Sequence, residues 1–202
     1  MKNFPKAFAA LAALSFVGTS AFAQLTVNGT IAAASCALGV TTSATGTPTT
    51  SATLGLPNLA TTTLTAQTAA GPILGAGVLT TFFVKPTSAT CTSPGTAGTF
   101  NIYFSSANLD TIATTKAANV ATLATRASNV VIDLVPYTAT TTAPIGTGMD
   151  ITKTTGLTQH GMSAQPLSTG SFQFNARYYK TSAAATTGSG VSATYVLNNE
   201  YQ

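Results

Sequence analysis

Charge is what this 202-residue chain has least of, at 6% Asp, Glu, Lys and Arg, about a quarter of ordinary usage. Eight Lys+Arg against four Asp+Glu leave an excess of only +4, too small for a nucleic-acid footprint. The 45% hydrophobic content excludes disorder driven by like-charge repulsion. Trp is absent, His occurs once and Cys twice. The single His160 sits in Gln159-His160-Gly161, a turn sequence, and reads as solvated. Asp110, Asp133, Asp150 and Glu200 are scattered, so no carboxylate pair, metal-ligand set or nucleophilic triad is written in the sequence. Gly71-Pro72-Ile73-Leu74-Gly75 has the glycines of a phosphate loop but no following Lys-Ser/Thr. These residues point to no enzyme and ask for no metal or cofactor.

What the chain has in excess is threonine, roughly a fifth of all residues, with alanine similarly heavy. Threonine is β-branched and uncharged, and suits a solvated sheet face. The length fits one ordinary domain.

The N-terminus has the three parts of a secretory leader. Lys2 and Lys6 precede Ala7–Val17, an apolar stretch interrupted only by Ser15, and Ala21-Phe22-Ala23 is a small-x-small cleavage site. Cleavage after Ala23 gives a mature chain of 202 − 23 = 179 residues starting at Gln24, with a net charge of 6 − 4 = +2. Nothing downstream offers a run long and apolar enough for a membrane-spanning helix. Export places Cys36 and Cys91 in an oxidising compartment, where an even count reads as one disulfide; a metal pair and a reactive thiol are the competing readings. A bridge across 91 − 36 = 55 residues contributes about 4 kcal/mol in the chain-entropy account.

Period-two alternation dominates the rest. It runs through Leu25, Val27, Gly29 and Ile31; Val78, Thr80, Phe82 and Val84; Phe100, Ile102 and Phe104; Val130, Ile132 and Leu134, with Asp133 facing the other way; Phe172, Phe174, Ala176 and Tyr178; and Val191, Ala193, Tyr195, Leu197 and Tyr201. Each block predicts a strand with one buried face. Tyr178-Tyr179 beside Arg177 and Lys180 reads as one ring inward and one outward. The Thr-rich stretch 41–53 predicts surface loops, and Ala-rich 110–127 has room for a helical turn. Asn28-Gly29-Thr30 matches a glycosylation sequon by chance inside a strand. The sum is six or more antiparallel strands around one core, an all-β sandwich.

Four ordered features resemble the chaperone-usher fimbrial (pilin) subunits of Gram-negative bacteria. They are Val27-Asn28-Gly29-Thr30-Ile31 leading to Ala34-Ser35-Cys36; Phe82–Val84 leading to Cys91; Ala127–Leu134 followed by Pro144-Ile145; and Phe172-x-Phe174-x-Ala176-Arg177-Tyr178-Tyr179 followed by Gly188 or Gly190 and a strand ending at penultimate Tyr201. The resemblance spans essentially the whole mature chain. It implies an incomplete immunoglobulin-like sandwich lacking its final strand and completed by donor-strand complementation. The segments it implies are a signal peptide at 1–23, a donor segment at 24–35 and a pilin-type domain at 36–202. Leu25, Val27 and Gly29 become donor positions. Val191, Ala193, Tyr195, Leu197 and Tyr201 line the acceptor groove, with Phe172, Phe174 and Gly188 contributing.

The implied function is that of a structural subunit polymerising into a surface filament for cell adhesion. Its partners would be a periplasmic pilus chaperone, which receives the Gln202 carboxylate, an outer-membrane usher and further copies of itself. The runner-up readings are a minor or capping subunit and a free-standing secreted carbohydrate-binding sandwich, although a Trp-free chain advertises no aromatic platform. One departure is plain: cleavage after Ala23 leaves only twelve residues, 24–35, before Cys36. Either the donor is short or cleavage falls earlier, for example after Ser20.

Overall fold

A computed structural model of the chain describes residues 20–29, 37–74, 79–88, 98–137, 148–153, 164–166 and 170–201. Among them the chain is an all-β assembly of two sheets with one short helix. The strands are β1 (Ser20–Gly29), β2 (Leu38–Thr41), β3 (Ser51–Ala60), β4 (Gly71–Pro72), β5 (Leu79–Pro86), β6 (Thr99–Ser105), β7 (Val130–Pro136), β8 (Gln165–Pro166), β9 (Phe172–Lys180) and β10 (Gly190–Tyr201), and helix α1 covers Thr61–Ala66.

The first sheet runs β3-β1-β10-β6-β8. In the second, β2 pairs β5 and β5 pairs β9; β7 takes the far edge of β9, and β4 continues the β5 side at Gly71↔Lys180. Among the described residues every pairing between these strands is antiparallel except β1 with β10, which is parallel. The antiparallel expectation therefore fails at one interface. A tight hairpin forces antiparallel pairing only between strands adjacent in sequence, and β1 and β10 come from opposite ends of the chain.

Alternation decides what faces the core. Leu25 and Val27 from β1, Phe100, Ile102 and Phe104 from β6, and Val191, Ala193, Tyr195 and Leu197 from β10 meet Phe82 and Val84 from β5, Val130, Ile132 and Leu134 from β7, and Phe172, Phe174, Ala176 and Tyr178 from β9 in one buried cluster. An aromatic column crosses between the sheets. Phe82 stacks on Phe174 with ring centroids 5.4 Å apart, Phe104 meets Phe174 edge-on at 5.1 Å, and Phe104 meets Tyr195 at 6.3 Å. Edge-to-face and offset geometries of this kind suit the ring quadrupoles. The Tyr195 hydroxyl, deep in the core, donates to the Ile132 carbonyl at 2.6 Å and so ties β10 to β7.

Three expectations are corrected by this fold. The Thr-rich stretch is a loop only from residue 42 to 50: Thr41 ends β2, and β3 begins at Ser51 and buries Leu54, Leu56 and Leu59 while Ser51, Thr53 and Gly55 face outward. Residues 110–127 form no helix. They run as an irregular strap with turns, pinned to β10 by Val120 N–H donating to Ser192 O (2.8 Å) and Ala127 N–H donating to Gly190 O (2.7 Å). β7 and β9 are buried on both faces, because this strap and residues 148–151 cover them from outside, with Met149 N–H donating to Leu134 O at 2.7 Å and Ile151 N–H to Thr115 O at 3.1 Å.

Candidate strand-acceptor groove

Without β1, the first sheet would have a gap between β3 and β10. β1 fills it, in parallel register with β10 from Phe22↔Gly190 to Gly29↔Leu197, and antiparallel to β3 from Ser20↔Ala60 to Asn28↔Ser51. Leu25 and Val27 are wholly buried, whereas Gln24 and Asn28 are exposed. Leu25 lies between Ala193 and Leu54, and Val27 between Tyr195 and Ala52. Burying two such side chains stabilises by about 3–6 kcal/mol before ordering costs are subtracted. On the outer face the Ser51 hydroxyl donates to Asn28 Oδ1 at 2.9 Å.

The residues singled out as donor and acceptor thus divide as follows. Leu25 and Val27 enter the core from β1, and Gly29 ends that strand opposite Leu197. Val191, Ala193, Tyr195 and Leu197 face inward from β10, and Tyr201 closes the strand in register with Phe100. Phe172 and Phe174 belong to β9, in the opposite sheet, where they form the floor beneath β6 rather than a wall beside β1: Phe172 meets Phe100 edge-on at 5.2 Å. Gly188 lies ahead of β10, not on it. It sits at φ +77°, in the left-handed region, and a Cβ there would overlap the Arg126 carbonyl oxygen, so the strap requires glycine at this point. Cys36, Cys91, His160 and Gln202 lie outside the described residues.

β10 is not an open edge in this structure. β1 occupies one side of Gly190–Leu197, and the other side is taken first by the strap and then by β6 from Val196 to Tyr201. Asn119 knits the strap to the strand: its Nδ2 donates to Ala127 O and Gly190 O at 3.0 Å each, and its Oδ1 accepts from Ala121 N–H (3.1 Å) and Ser192 N–H (2.9 Å). The second wall of the groove, β3, was missed from sequence because Gly55 and Pro57 interrupt its alternation; Leu54-x-Leu56 was the only signal.

A polar cluster occupies the outer face of β7 and β9. Asp133, expected to face outward, does so but is completely buried. Arg177, opposite it in the β7–β9 register, donates through Nε to Oδ2 at 2.9 Å and lies 2.8 Å from the same oxygen through Nη2, and Lys116 Nζ from the strap lies 2.8 Å from Oδ1. Lys116 also donates to the Met149 carbonyl at 3.2 Å and stands 5.4 Å from the centre of the Tyr179 ring. Beside the cluster is an open cleft of about 590 Å³, lined in part by Pro72, Thr115, Asp150 and Tyr179. Burial alone would raise the Asp150 pKa, but hydrogen bonds from the Thr152 hydroxyl and N–H, with the charges of Lys153 and Lys116, bring it below the ordinary carboxylate value.

Among the described residues no three His, Cys, Asp or Glu side chains gather as metal ligands, and no helix is long and apolar enough to cross a membrane. The sequence matches no family model, and no curated protein matches it.

Proposed function

We propose that this chain is a structural subunit of a chaperone-usher type fimbria: an immunoglobulin-like sandwich whose last strand is a donated one. It would be exported through the periplasm, held there by a pilus chaperone, passed to an outer-membrane usher and built into a surface filament for adhesion. The observation that supports this reading is the placement of β1. The strand beside C-terminal β10 comes from the N-terminal end of the chain, and both its neighbours are remote in sequence.

A terminal strand held only through non-local pairings has the same contacts available to it in a second copy, which is the physical basis of domain swapping. A β1 that leaves its own groove for that of a second copy frees its groove for a third, and exchange that runs on in this way is heterologous and propagates as a fibre. Leu25, Val27 and Gly29 are the donor positions, and Val191, Ala193, Tyr195, Leu197 and Tyr201 the acceptor strand.

The same placement also favours a second reading. A sandwich sealed by its own β1 is equipped to stand alone as a secreted monomer. Expression of the exported chain with and without a pilus chaperone, followed by size-exclusion chromatography and negative-stain microscopy, separates the two. Chaperone-bound subunits that go on to form fibres are expected. A monomer under every condition would refute the filament and leave the free-standing sandwich.

A further inference from the structure

The cleft beside the Asp133 cluster has a floor and two walls that are fixed before any ligand arrives. Tyr179 and Arg177 of β9 form the floor, with Pro72 of β4 in register beside Tyr179. One wall is the strap at residues 112–116 and the other is residues 148–150. Ile151 N–H donates to Thr115 O at 3.1 Å and Lys116 Nζ to Met149 O at 3.2 Å, which ties the walls to each other. Each wall is also stiffened from within. Asp110 Oδ1 accepts from Ile112 N–H (2.9 Å) and Ala113 N–H (2.7 Å), and Asp150 Oδ1 accepts from the N–H and hydroxyl of Thr152. A Cβ at Gly148 would overlap the Asp133 carboxylate, so glycine lets this wall close down on the floor. We propose that the cleft binds a neutral saccharide, with Ile112 and Tyr179 against the apolar faces of its rings and Asp150 and Thr114 on its hydroxyls.

The chemistry of the lining selects this class. Two cations, Lys116 and Arg177, share the Asp133 carboxylate beneath them, and Asp150 supplies a second negative charge at the wall, so the site is formally neutral. An anion would meet ionised Asp150, and a cation would meet Lys116 and Arg177; neither finds an unpaired counter-charge. A neutral ligand rich in hydroxyls meets no such conflict. Both printed bonds of Asp150 fall on Oδ1, which leaves Oδ2 without a donor among the described residues and able to accept from a hydroxyl. Thr114 adds an exposed side-chain hydroxyl on the facing wall.

The apolar part is equally specific. Ile112 is 61% exposed, although the turn that carries it is held by two hydrogen bonds, so an apolar side chain is presented to the cleft by a rigid support. With Pro72 and half-buried Tyr179 it offers apolar surface beside hydroxyl-binding groups, the mixture that a pyranose ring presents in complement. A volume of about 590 Å³ lies within the ordinary range for small-molecule sites and gives room for a short saccharide. The cleft lies on the outer face of the second sheet, whereas β1 and its groove belong to the first, so the proposal holds whether the chain polymerises or stands alone.

The test uses the exported full chain and ligand-observed NMR titration with the methyl pyranosides of glucose, galactose and mannose, with maltose and lactose, and with glucuronic acid and glucosamine as charged counterparts. Saturable binding of at least one neutral sugar is expected, tighter than that of either charged one. Asp150→Asn, which keeps an acceptor for Thr152, should weaken it about tenfold or more, and Ile112→Ser about threefold or more, both with an unchanged Tm. Leu123→Ser, at an 84% exposed position of the same strap outside the cleft, should leave binding unchanged. No saturable binding of any neutral sugar, preference for a charged one, or equal affinity in the Asp150→Asn and parent proteins would overturn the proposal, as would an equal loss in the Leu123→Ser and Ile112→Ser proteins. Sugar binding by a chain that never forms fibres would uphold the cleft and refute the filament; fibres from a chain that binds no sugar would do the reverse.

Discussion

Replacing Asp133 by alanine would take the shared carboxylate away from two buried cations. Arg177 is 2% exposed and the Lys116 side chain 9%, and both reach the same carboxylate at 2.8 Å. Removing one member of a buried, hydrogen-bonded charge set typically costs about 3–5 kcal/mol, because the survivors keep their desolvation penalty without its compensation. Against a whole-domain stability of about 5–15 kcal/mol that is a large share, and for a chain of this size it lowers Tm by roughly 6–20 °C. Urea and thermal unfolding of the exported protein, followed by circular dichroism, would measure it. The reasoning makes a second demand: a triple variant, Asp133→Leu with Arg177→Met and Lys116→Met, removes all the charge together and should recover most of the loss, to within about 2 kcal/mol of the parent. An Asp133→Ala protein within about 1 kcal/mol of the parent would refute the account, as would a triple variant weaker than the single one.

Three further outcomes follow from the geometry. Asn119→Ala removes four hydrogen bonds, two within the strap and two from the strap to β10, and is expected to cost about 2–4 kcal/mol in urea unfolding, with faster amide exchange at Gly190–Ser192; unchanged exchange there would contradict the assignment. Gly188→Ala combines a left-handed backbone with overlap on the Arg126 carbonyl and should destabilise by more than about 1 kcal/mol, whereas the same change at Gly55, which meets nothing, should be tolerated. Burial pushes the Tyr178 hydroxyl up to about 12 and also raises Tyr195, to which the Asp133 charge adds while a hydrogen bond from the Ala117 backbone subtracts. A raised folded-state pKa gives stability that is complete below the ordinary tyrosine value, about 10, and is lost as pH climbs through 10 toward 12. Tyrosinate absorbance from these two residues should therefore rise only together with unfolding; ionisation alongside the other tyrosines in a folded protein would be the contrary result.

Legibility from sequence followed the number of buried faces and the distance between partners. β1, β6 and β10 were readable because one face meets the core and the alternation is uninterrupted through Leu25 and Val27, Phe100 to Phe104, and Val191 to Leu197. β7 and β9 were located, but their outer faces were misread as solvated, since the cover over Asp133, Asn175 and Arg177 comes from the strap, far away in the chain. The Asp133–Arg177 pair is a cross-strand neighbour in a known register only once the β7–β9 topology is given; two opposite charges in a chain this poor in charge were the only hint. The alanines of the strap leave room for a helical turn, a case its threonines weaken, whereas its path is set by side-chain-to-backbone bonds from Asn119. β3 escaped notice because Gly55 and Pro57 break its period. Leu25, Val27, Val191, Ala193, Tyr195 and Leu197 are legible as inward-facing residues, but the pairing of β1 with β10, inside one chain and in parallel, is a fact of topology that alternation does not encode.

The central claim is that β1 completes the sandwich and acts as a separable piece. Its most direct measurement is on a chain carrying its leader joined straight to residue 30, so that β1 is missing, examined with and without a synthetic peptide of residues 20–29 by native mass spectrometry and thermal unfolding. The account predicts a chain that does not fold cooperatively alone and forms a stable one-to-one complex with the peptide, melting near the parent. Cooperative folding of the shortened chain by itself, with no uptake of the peptide, would contradict it.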